Sequence, residues 1–299
     1  MDVPLPGQPV SPPVTPIKVR ADGSERAGGG RVSSASPQAR GRQGREIRVL
    51  PALAAGPVKM PFPILSWSED FTHDLEWNEH SHPYHELLWN ERGASTAVVG
   101  SRVWTVTPTL GLWMPAGTLH SGSAVAGTRC RASLFGFDAV TPISSAPVAV
   151  EITPLLRLLL ERLADTELPA GSRSLTEAMV LDVLTPAPHE LLLQMPTSDL
   201  LRPIADAVRK DPGDRRGLAE WASLLGVSAR TISRAFNAET GTSFARWVAA
   251  VRAQHAVELL TQGWPVEAVA ERVGYRSASA FGAAFRRTTG LTPGAFRAP

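Results

Sequence analysis

The C-terminal third of this 299-residue chain contains the same unit twice. The first copy is LAEWASLLGVSARTISRAFNAETGTSFARW (218–247), and the second is VEAVAERVGYRSASAFGAAFRRTTGLTPGAF (266–296). With one extra residue in the second copy, the shared positions are Leu218 with Val266, Ala222 with Ala270, Leu225 with Val273, Gly226 with Gly274, Ser228 with Ser277, Phe236 with Phe285, and Thr240-Gly241 with Thr289-Gly290. A repeat with a period of about fifty residues predicts a duplicated supersecondary unit, and any fold for this chain has to accommodate it.

Each copy has the pattern of a helix-turn-helix. In the first copy Leu218, Ala222 and Leu225 recur at the spacing of one helical face, which predicts a short helix with one buried side. Gly226 then permits a sharp turn between two helices. Ser228 is placed to accept hydrogen bonds from the first N–H groups of the next helix.

The second helix of the first copy predicts a surface that reads DNA. Its outward positions carry two arginines and two hydroxyl residues, namely Arg230, Thr231, Ser233 and Arg234, while Ile232 and Phe236 face the core. In a major groove arginine pairs with guanine, and hydroxyl groups meet phosphates or bases. The alternative interpretation is a plain helical bundle with a solvated arginine face, which the tandem repeat disfavours.

Residues 199–299 resemble the C-terminal DNA-binding domain of AraC-family transcription regulators. The resemblance is carried by Ser228, Arg234, Phe236, Thr240-Gly241, Arg252, Ala256, Val269-Ala270, Val273-Gly274-Tyr275, Gly290, Thr292-Pro293 and Phe296-Arg297. It implies a transcription regulator rather than an enzyme. It also implies double-stranded operator DNA as a partner, RNA polymerase as a further candidate partner, a small-molecule or metal effector, and a homodimer.

By the same resemblance, the two copies are expected to contribute differently to DNA recognition. Arg234 of the first copy corresponds to Ala283 of the second, which removes the strongest candidate base reader. Ser279 is the polar residue that remains on the outward face of the second helix. We therefore expect the first half-site to dominate specificity. The second copy is expected mostly to contact phosphates, through Arg276, Ser277, Arg286 or Arg287.

Charge is unevenly distributed although the formal net charge is only +2. Residues 199–299 hold 14 Arg and Lys against 9 Asp and Glu, and residues 64–198 hold 7 against 15. Residues 1–63 hold 9 against 4. A basic C-terminal module beside an acidic middle region is typical of a protein with one DNA-facing end.

Composition also predicts a cytoplasmic protein with a disordered N-terminal tail. The single cysteine, Cys130, excludes an intramolecular disulfide, and neither a membrane span nor a signal peptide is indicated. Residues 1–60 are rich in Pro, Gly, Ser and Arg, and too few large apolar residues are present to offset chain entropy. Met60 is an alternative translation start, and a chain beginning there is expected to fold and bind DNA nearly normally.

Residues 61–150 have the pattern of a small all-β domain. Ser95–Val99 and Arg102–Val106 flank Gly100-Ser101, which predicts a hairpin, and many short strands without helices favour a barrel. Together with the C-terminal repeat, this predicts an α+β chain. It would comprise an N-terminal cupin-like β-barrel, a helical connector at 151–198, and an all-α tandem helix-turn-helix domain at 199–299.

The histidines of this region resemble the two motifs of the metal-binding cupin barrel. The first motif is His80-x-His82-x-x-x-Glu86 followed by Gly93, and the second is Pro115-x-Gly117-x-x-His120. The resemblance implies that His80, His82, Glu86 and His120 converge on one divalent transition metal ion. Alternate residues of a strand share a face, so His80 and His82 are expected to point the same way. Three imidazoles and a carboxylate suit iron, manganese, nickel, copper or zinc.

Two alternatives to a metal sensor remain open at the level of sequence. The histidines could be hydrogen-bonded walls of a pocket for an organic effector, and His85, outside the motif, is predicted to be such a residue. The chain could also be a metal-dependent cupin enzyme, a dioxygenase or isomerase, fused to a DNA-binding module. The motif region shows no further acid or base for that chemistry.

The connector is predicted to contain two helices. Ile152, Leu155, Leu156, Leu159 and Leu163 form an apolar stripe, which is either core or a dimer interface. Ser174-x-x-Glu177 has the pattern of a capping box and predicts a second helix from there to about Leu184. Because the connector lies between the sensor and the DNA-binding module, it is expected to transmit the effector signal. Asp199–Lys210 is predicted to be the first helix of that module.

Overall fold

The computed structural model describes residues 17–20 and 46–296, and its N-terminal half is built from strands. The strands are β1 Ile17–Arg20, β2 Glu46–Val49, β3 Ile64–Asp70, β4 Leu75–His80, β5 His85–Arg92, β6 Ser95–Val99, β7 Arg102–Val106, β8 Leu110–Met114, β9 His120–Ala124, β10 Arg129–Phe135, β11 Val148–Glu151 and β12 Leu192–Gln194. The helices are α1 Pro154–Leu163, α2 Ala170–Val183, α3 Arg202–Lys210, α4 Leu218–Leu225, α5 Ala229–Thr240, α6 Phe244–Thr261, α7 Val266–Arg272 and α8 Ala278–Thr289, followed by a 3-10 helix, Pro293–Phe296.

The strands form two facing sheets. Seven strands follow the order β1-β2-β4-β9-β6-β7-β12, and five follow the order β11-β8-β5-β10-β3. Trp104 of the first sheet shares a buried cluster with Leu112 and Met114 of the second. The predicted α+β class, with a sheet-rich N-terminal domain and a helical C-terminal region, is confirmed. Within the described residues, however, the two sheets are not joined by hydrogen bonds into one closed barrel.

The predicted hairpin is confirmed with the bounds given by the sequence. Strands β6 and β7 pair antiparallel, with Ser95 opposite Val106 and Val99 opposite Arg102. Gly100 in the turn has a φ of 57°, a conformation that glycine adopts without steric cost.

Residues 46–60 correct the prediction of a disordered tail. Strand β2 pairs parallel with β4 and antiparallel with β1. The buried Arg48 guanidinium forms an ion pair with Glu69. Farther along, the Leu53 and Gly56 N–H groups donate to the carbonyls of Ser81 (3.2 Å) and Pro83 (3.1 Å). The composition argument fails here because backbone pairing with a sheet edge does not require large apolar side chains.

Residues 1–16 and 21–45 lie outside the described residues. A chain beginning at Met60 would lose these contacts, so we expect it to be less stable than the full chain.

The connector helices also differ from the prediction. Helix α2 begins at Ala170 after Pro169, so the predicted capping residue Ser174 lies inside the helix. The reason is tertiary: Arg173 is buried and donates to the carbonyls of Leu163 (3.3 Å) and Asp165 at the end of α1. These bonds favour a helix that already includes Arg173.

Helix α1 buries only part of the predicted apolar stripe. Leu156, Leu159 and Leu163 are buried against the five-stranded sheet, as the core interpretation requires. Leu155 of the stripe is 48% exposed, and so is Leu158, outside the predicted stripe, at 63%. The exposed leucines belong to a second face that points away from the sheets.

The C-terminal helices form two cores around the central helix α6. Phe244, Trp247 and Val251 from the first half of α6 pack with α3, α4 and α5. Val257 and Leu260 from its second half pack with α7 and α8. Helix α3 starts three residues after the predicted Asp199, where Pro203 occupies one of the first helical positions. Among the described helices, none is long and apolar enough to cross a membrane.

Candidate functional site

The two copies of the repeat fold into equivalent recognition helices. Helices α5 and α8 are each 12 residues long. Ser228 caps α5, its Oγ accepting from the Thr231 N–H at 3.0 Å, and Ser277 caps α8, accepting from Ala280 at 3.2 Å. Both helices end at a glycine in the left-handed conformation, Gly241 or Gly290. The repeat therefore duplicates the start and end of the helix as well as its buried face.

Helix α5 presents the outward surface expected from the sequence. Arg230, Thr231 and Arg234 are exposed and Ser233 is half-buried. On the opposite face, Ile232 is fully buried. Two cations and two hydroxyls therefore lie on one solvent-facing side of a helix that is fixed to the core by its other side.

Helix α8 presents a different surface. Ser279 and Ala283 are exposed on its outward side. The basic residues are concentrated at its two ends, with Arg276 before the helix and Arg286 and Arg287 in its last turn, and all three are exposed. Ser277, which we predicted to contact phosphate, is the capping residue. Among the described residues, no ion pair involves Arg230, Arg234, Arg276, Arg286 or Arg287.

Arg252 of α6 connects the two helix-turn-helix units. Its guanidinium donates to the carbonyls of Pro212 and Asp214, both at 2.8 Å, in the loop before α4. The same group lies 5.4 Å from the centre of the Tyr275 ring, in the turn before α8. Arg252 was part of the sequence resemblance without an assigned role. Its contacts with both units would limit their movement relative to each other.

Three of the four predicted metal-ligand residues come together. Ligand nitrogens of His80, His82 and His120 all lie within 4.8 Å of one another. His80 on β4 is directly opposite His120 on β9. His82 lies beyond the end of β4, so the two residues do not share one strand as expected, but their rings do point to the same place, with centres 4.9 Å apart.

Backbone carbonyls orient two of the imidazoles. Nδ1 of His80 lies 2.7 Å from the Asn78 carbonyl oxygen, and Nδ1 of His120 lies 2.8 Å from that of Thr118. Since a carbonyl can only accept, each Nδ1 must carry the proton and donate. The Nε2 lone pairs are then free to bind a cation, which is the usual arrangement for a metal-binding histidine.

The loop of the second motif is attached to the first motif. The Gly117 N–H donates to the His82 carbonyl at 2.7 Å, and the Ala116 N–H donates to Nδ1 of His85 at 2.9 Å. Gly117 has a φ of 74°, and a Cβ there would lie 3.0 Å from the Ala55 nitrogen. His85 is stacked on Trp113 at 5.3 Å and stands apart from the close set of histidines.

Glu86 lies at the edge of the histidine cluster rather than within it. Its Oε2 is 3.6 Å from Nε2 of His82, and it is not among the residues whose ligand atoms are mutually within 4.8 Å. Glu86 is buried on β5 of the five-stranded sheet, whereas His80 and His120 belong to the seven-stranded sheet. Burial raises the pKa of the Glu86 carboxyl to about 7, so its charge would be stabilised by a nearby cation.

Burial also keeps the histidines neutral. Burial, followed by the charges of His120 and His80, lowers the pKa of His82 to about 3. Burial and then the His80 charge lower the pKa of His120 to about 4, and burial lowers the pKa of His80. Neutral imidazoles have free lone pairs near neutral pH, so the donor set fits a divalent transition metal.

Sequence reasoning missed two supports of this cluster. Tyr84 is stacked on His82, with ring centres 5.2 Å apart and planes 7° from parallel. Residues 50–56 run beside the segment that carries His80 and His82, and the Asn78 amide bonds to Leu50 in both directions, at 2.7 and 3.0 Å. Tyr84 could have been found from the sequence, because it is an aromatic residue two positions after His82. The contact between Asn78 and Leu50 could not, because it joins residues far apart in the chain.

Comparisons with protein families match both halves of the chain. Residues 69–182 match the model of an AraC-like ligand binding domain, and residues 221–299 match that of a helix-turn-helix domain. The HTH-type transcriptional regulator NimR of Escherichia coli (strain K12) is 29% identical over 229 residues, which are 75% of this chain and 84% of NimR. The HTH-type transcriptional regulator RipA of Corynebacterium glutamicum is 40% identical over 102 residues, which are 34% of this chain and 31% of RipA.

Solved structures give matches of two kinds. The DNA-binding domain of AdpA, a global transcriptional factor solved in complex with a target DNA, is 32% identical and covers 33% of this chain and 91% of that one, with a TM-score of 0.32. ToxT from Vibrio cholerae is 11% identical and covers 78% of this chain and 96% of that one, with a TM-score of 0.33.

Proposed function

Because the chain belongs to the AraC family of DNA-binding transcription regulators, we propose that a divalent transition metal, held by its N-terminal ligand-binding domain, controls how tightly it binds operator DNA. The observation that carries this proposal is the convergence of three neutral imidazoles, two of them oriented by backbone carbonyls. His80, His82 and His120 would supply nitrogen ligands. Glu86 would supply a buried carboxylate beside His82.

A bound cation would act on the fold by joining the two sheets. His80 and His120 extend from the seven-stranded sheet and Glu86 from the five-stranded one. The ion would supply a positive charge that holds these groups together. Metal binding would therefore favour one arrangement of the sheets over others. A ligand shifts a conformational equilibrium only by its differential affinity for the two states, so operator affinity changes only if that arrangement also differs in its fit to DNA.

On the DNA side, α5 is proposed as the main reader of bases and α8 as a phosphate-contacting helix. The proposal is supported by the exposed Arg230 and Arg234 on α5 and by the small residues Gly282 and Ala283 on α8. Direct base readout needs side chains that reach the groove edges, and arginine does so whereas alanine does not.

A homodimer through the connector helices completes the proposal. Leu155 and Leu158 of α1 and Leu175 and Met179 of α2 are 40–66% exposed. Helices α1 and α2 pack against each other, so these apolar residues lie on neighbouring helices with no cover within the described chain. An exposed apolar face of this kind marks an interaction surface, and the occupant we propose is the same face of a second copy. Leu158→Glu should convert a dimer to a monomer in analytical ultracentrifugation.

The decisive experiment for the sensor is metal analysis of protein purified without chelator. We expect about one divalent ion per chain, lost in His82→Ala and His120→Ala and retained in His73→Ala, which removes an exposed histidine outside the cluster. Circular dichroism should show that all three variants remain folded. Protein that holds no metal and takes none up would contradict the proposal and favour an organic effector.

A second measurement tests whether the metal is a signal. DNA recovered by the full chain from a random-sequence library provides a duplex, called the selected duplex below. The affinity of the protein for this duplex should change on metal loading by a factor of roughly 5–150, the usual range of allosteric coupling. Equal affinity with and without metal would show that the ion is structural.

A further inference from the structure

Three consecutive leucines enter three different cores. Leu193 is buried with residues of α3, α4, α5 and α6, in the core of the first helix-turn-helix unit. Leu191 is buried with residues of α6, α7 and α8, in the core of the second unit. Leu192, between them, packs against the cluster of Trp104, Leu112 and Met114 inside the sensor domain.

The leucines can do this because Leu192 and Leu193 lie on strand β12 and Leu191 directly precedes it. Side chains alternate across a strand, so Leu192 points opposite to its two neighbours. Strand β12 pairs antiparallel with β7 as the last strand of the seven-stranded sheet. The pairing is extended by hydrogen bonds from the Thr105 N–H to the Leu191 carbonyl (2.9 Å) and from the Met195 N–H to the Ser101 carbonyl (2.7 Å). The strand is part of the sensor sheet although it leads directly into the DNA-binding module.

Residues of α5 and α6 form hydrogen bonds with β12, with its neighbour β7 and with the residues that follow β12. Trp247 of α6 donates from its ring nitrogen to the Gln194 carbonyl at 2.9 Å. Gln254 of α6 donates to the Val103 carbonyl of β7 at 3.1 Å. Just beyond the strand, a carboxylate oxygen of Glu239, in the last turn of α5, accepts from the N–H groups of Thr197 and Ser198 at 2.8 and 3.0 Å.

We propose that residues 191–194 are positioning residues for DNA binding, which transmit the state of the sensor sheet to both recognition helices. A shift of β12 along β7 would move Leu191 and Leu193 together, and close-packed cores resist such a movement on either side. The connector helices α1 and α2, which the sequence favoured for this role, share their buried cluster with the sensor sheets and with no residue of α3 to α8 among the described residues. The proposal requires DNA binding but no metal.

Footprinting on the selected duplex tests the proposal, with chelator present throughout so that the outcome is independent of the metal. Leu193→Ala should weaken protection mainly at the bases facing α5, and Leu191→Ala mainly at those facing α8. Leu192→Ala touches neither helix-turn-helix core, yet it should weaken both halves and reduce affinity at least about fivefold. Leu192→Met, which restores the side-chain volume, should restore binding.

The matched control is Leu163→Ala, which removes a fully buried side chain from the cluster of α1 and the sensor sheets, where no described residue of β12 or of α3 to α8 takes part. Its expected effect on affinity is below about twofold at temperatures where it remains folded. Uniform weakening by all of these variants, or no change in Leu192→Ala, would overturn the proposal. If Leu192→Ala does not fold, Gln194→Ala removes the side-chain hydrogen bonds to Ser101 Oγ (2.6 Å) and to the Met195 carbonyl (3.4 Å) and leaves the leucines in place. It should likewise weaken protection of the bases facing α5 and of those facing α8, and an unchanged footprint would then refute the inference.

Discussion

The recognition helices α5 and α8 have the same architecture and different surfaces. Each has 12 residues, a capping serine and a left-handed glycine at its end. Their buried aromatic residues, Phe236 and Phe285, are 0% and 2% exposed. On the outward side, however, Arg234 of α5 is matched by Ala283 of α8. The features that fold the helix have been retained in both copies, while those that would read bases are present in only one.

The difference separates two requirements that a DNA-binding helix must meet. Folding and placement depend on the cap, the core residues and the turn, and these act without regard to DNA sequence. Specificity depends on a few exposed side chains that contribute little to stability. The two helices of a repeat can therefore meet the same folding requirements while they differ in their exposed side chains. Substitutions made in matched pairs should show this separation directly.

The largest expected effect comes from the cores. Phe236→Ala and Phe285→Ala should each reduce the free energy of unfolding by about 3–5 kcal/mol, because both remove a fully buried ring and leave a cavity. Thermal and urea denaturation of the full chain would measure the loss.

The two losses should be similar, because both rings are almost fully buried. A loss from Phe285→Ala of less than half that from Phe236→Ala would mean that the second core is looser than its burial indicates. The two units would then differ in folding as well as in surface.

The next effect is on specificity. Arg234→Ala should cost roughly 1–3 kcal/mol of discrimination at one base pair of the selected duplex, the usual contribution of a good arginine–base contact. Binding would be measured against duplexes that differ at single base pairs.

The reciprocal substitution is the control. Ala283→Arg places the same side chain at the matching position of α8 and should introduce a preference at a base pair that the wild-type chain does not discriminate. If Arg234→Ala instead weakens binding to all duplexes equally, the helix holds phosphates at this position and does not read bases.

The sequence predicts the repeated elements well because their signals are local. The turn Gly226, the cap Ser228 and the β6–β7 hairpin are all found at their predicted positions. Each depends on a few adjacent residues whose conformational preferences agree with the final fold. The meeting of His80, His82 and His120 also followed from a motif resemblance.

Features that depend on distant contacts were not predictable in this way. The pairing of β2 with β4 joins Glu46 to Leu75, far apart in sequence, and the early start of α2 at Ala170 depends on tertiary contacts of Arg173 with the end of α1. Glu86 was grouped with the histidines by its motif, but it lies on the other sheet, and the ion pair found for it among the described residues is the one with His82. The role of Leu191–Leu193 is invisible without the fold, because a run of three leucines does not show that each enters a separate core.

A smaller effect is expected at the helix caps. Ser228→Ala and Ser277→Ala each remove an oxygen that accepts a backbone N–H and should each cost about 1 kcal/mol of stability. Thermal denaturation would measure both. Ser279→Ala is the matched control, because Ser279 is exposed one residue into α8 and should change stability by less than about 0.5 kcal/mol. If the Ser277→Ala variant were as stable as this control, the cap of the second helix would be dispensable.

The smallest effect concerns the charges at the end of α8. Arg286→Ala should weaken binding to all duplexes alike and reduce the slope of log affinity against log salt by about 1, because one phosphate contact releases about one counterion. Between ~50 and ~200 mM salt this amounts to about a threefold difference in affinity. The matching position on α5 is Asn237, which is exposed and uncharged, so Asn237→Arg should increase the slope by a similar amount if the ends of both helices approach the DNA backbone. An Arg286→Ala variant that loses affinity for some duplexes and not others would show that α8 still reads bases, and the division of roles between the two helices would fail.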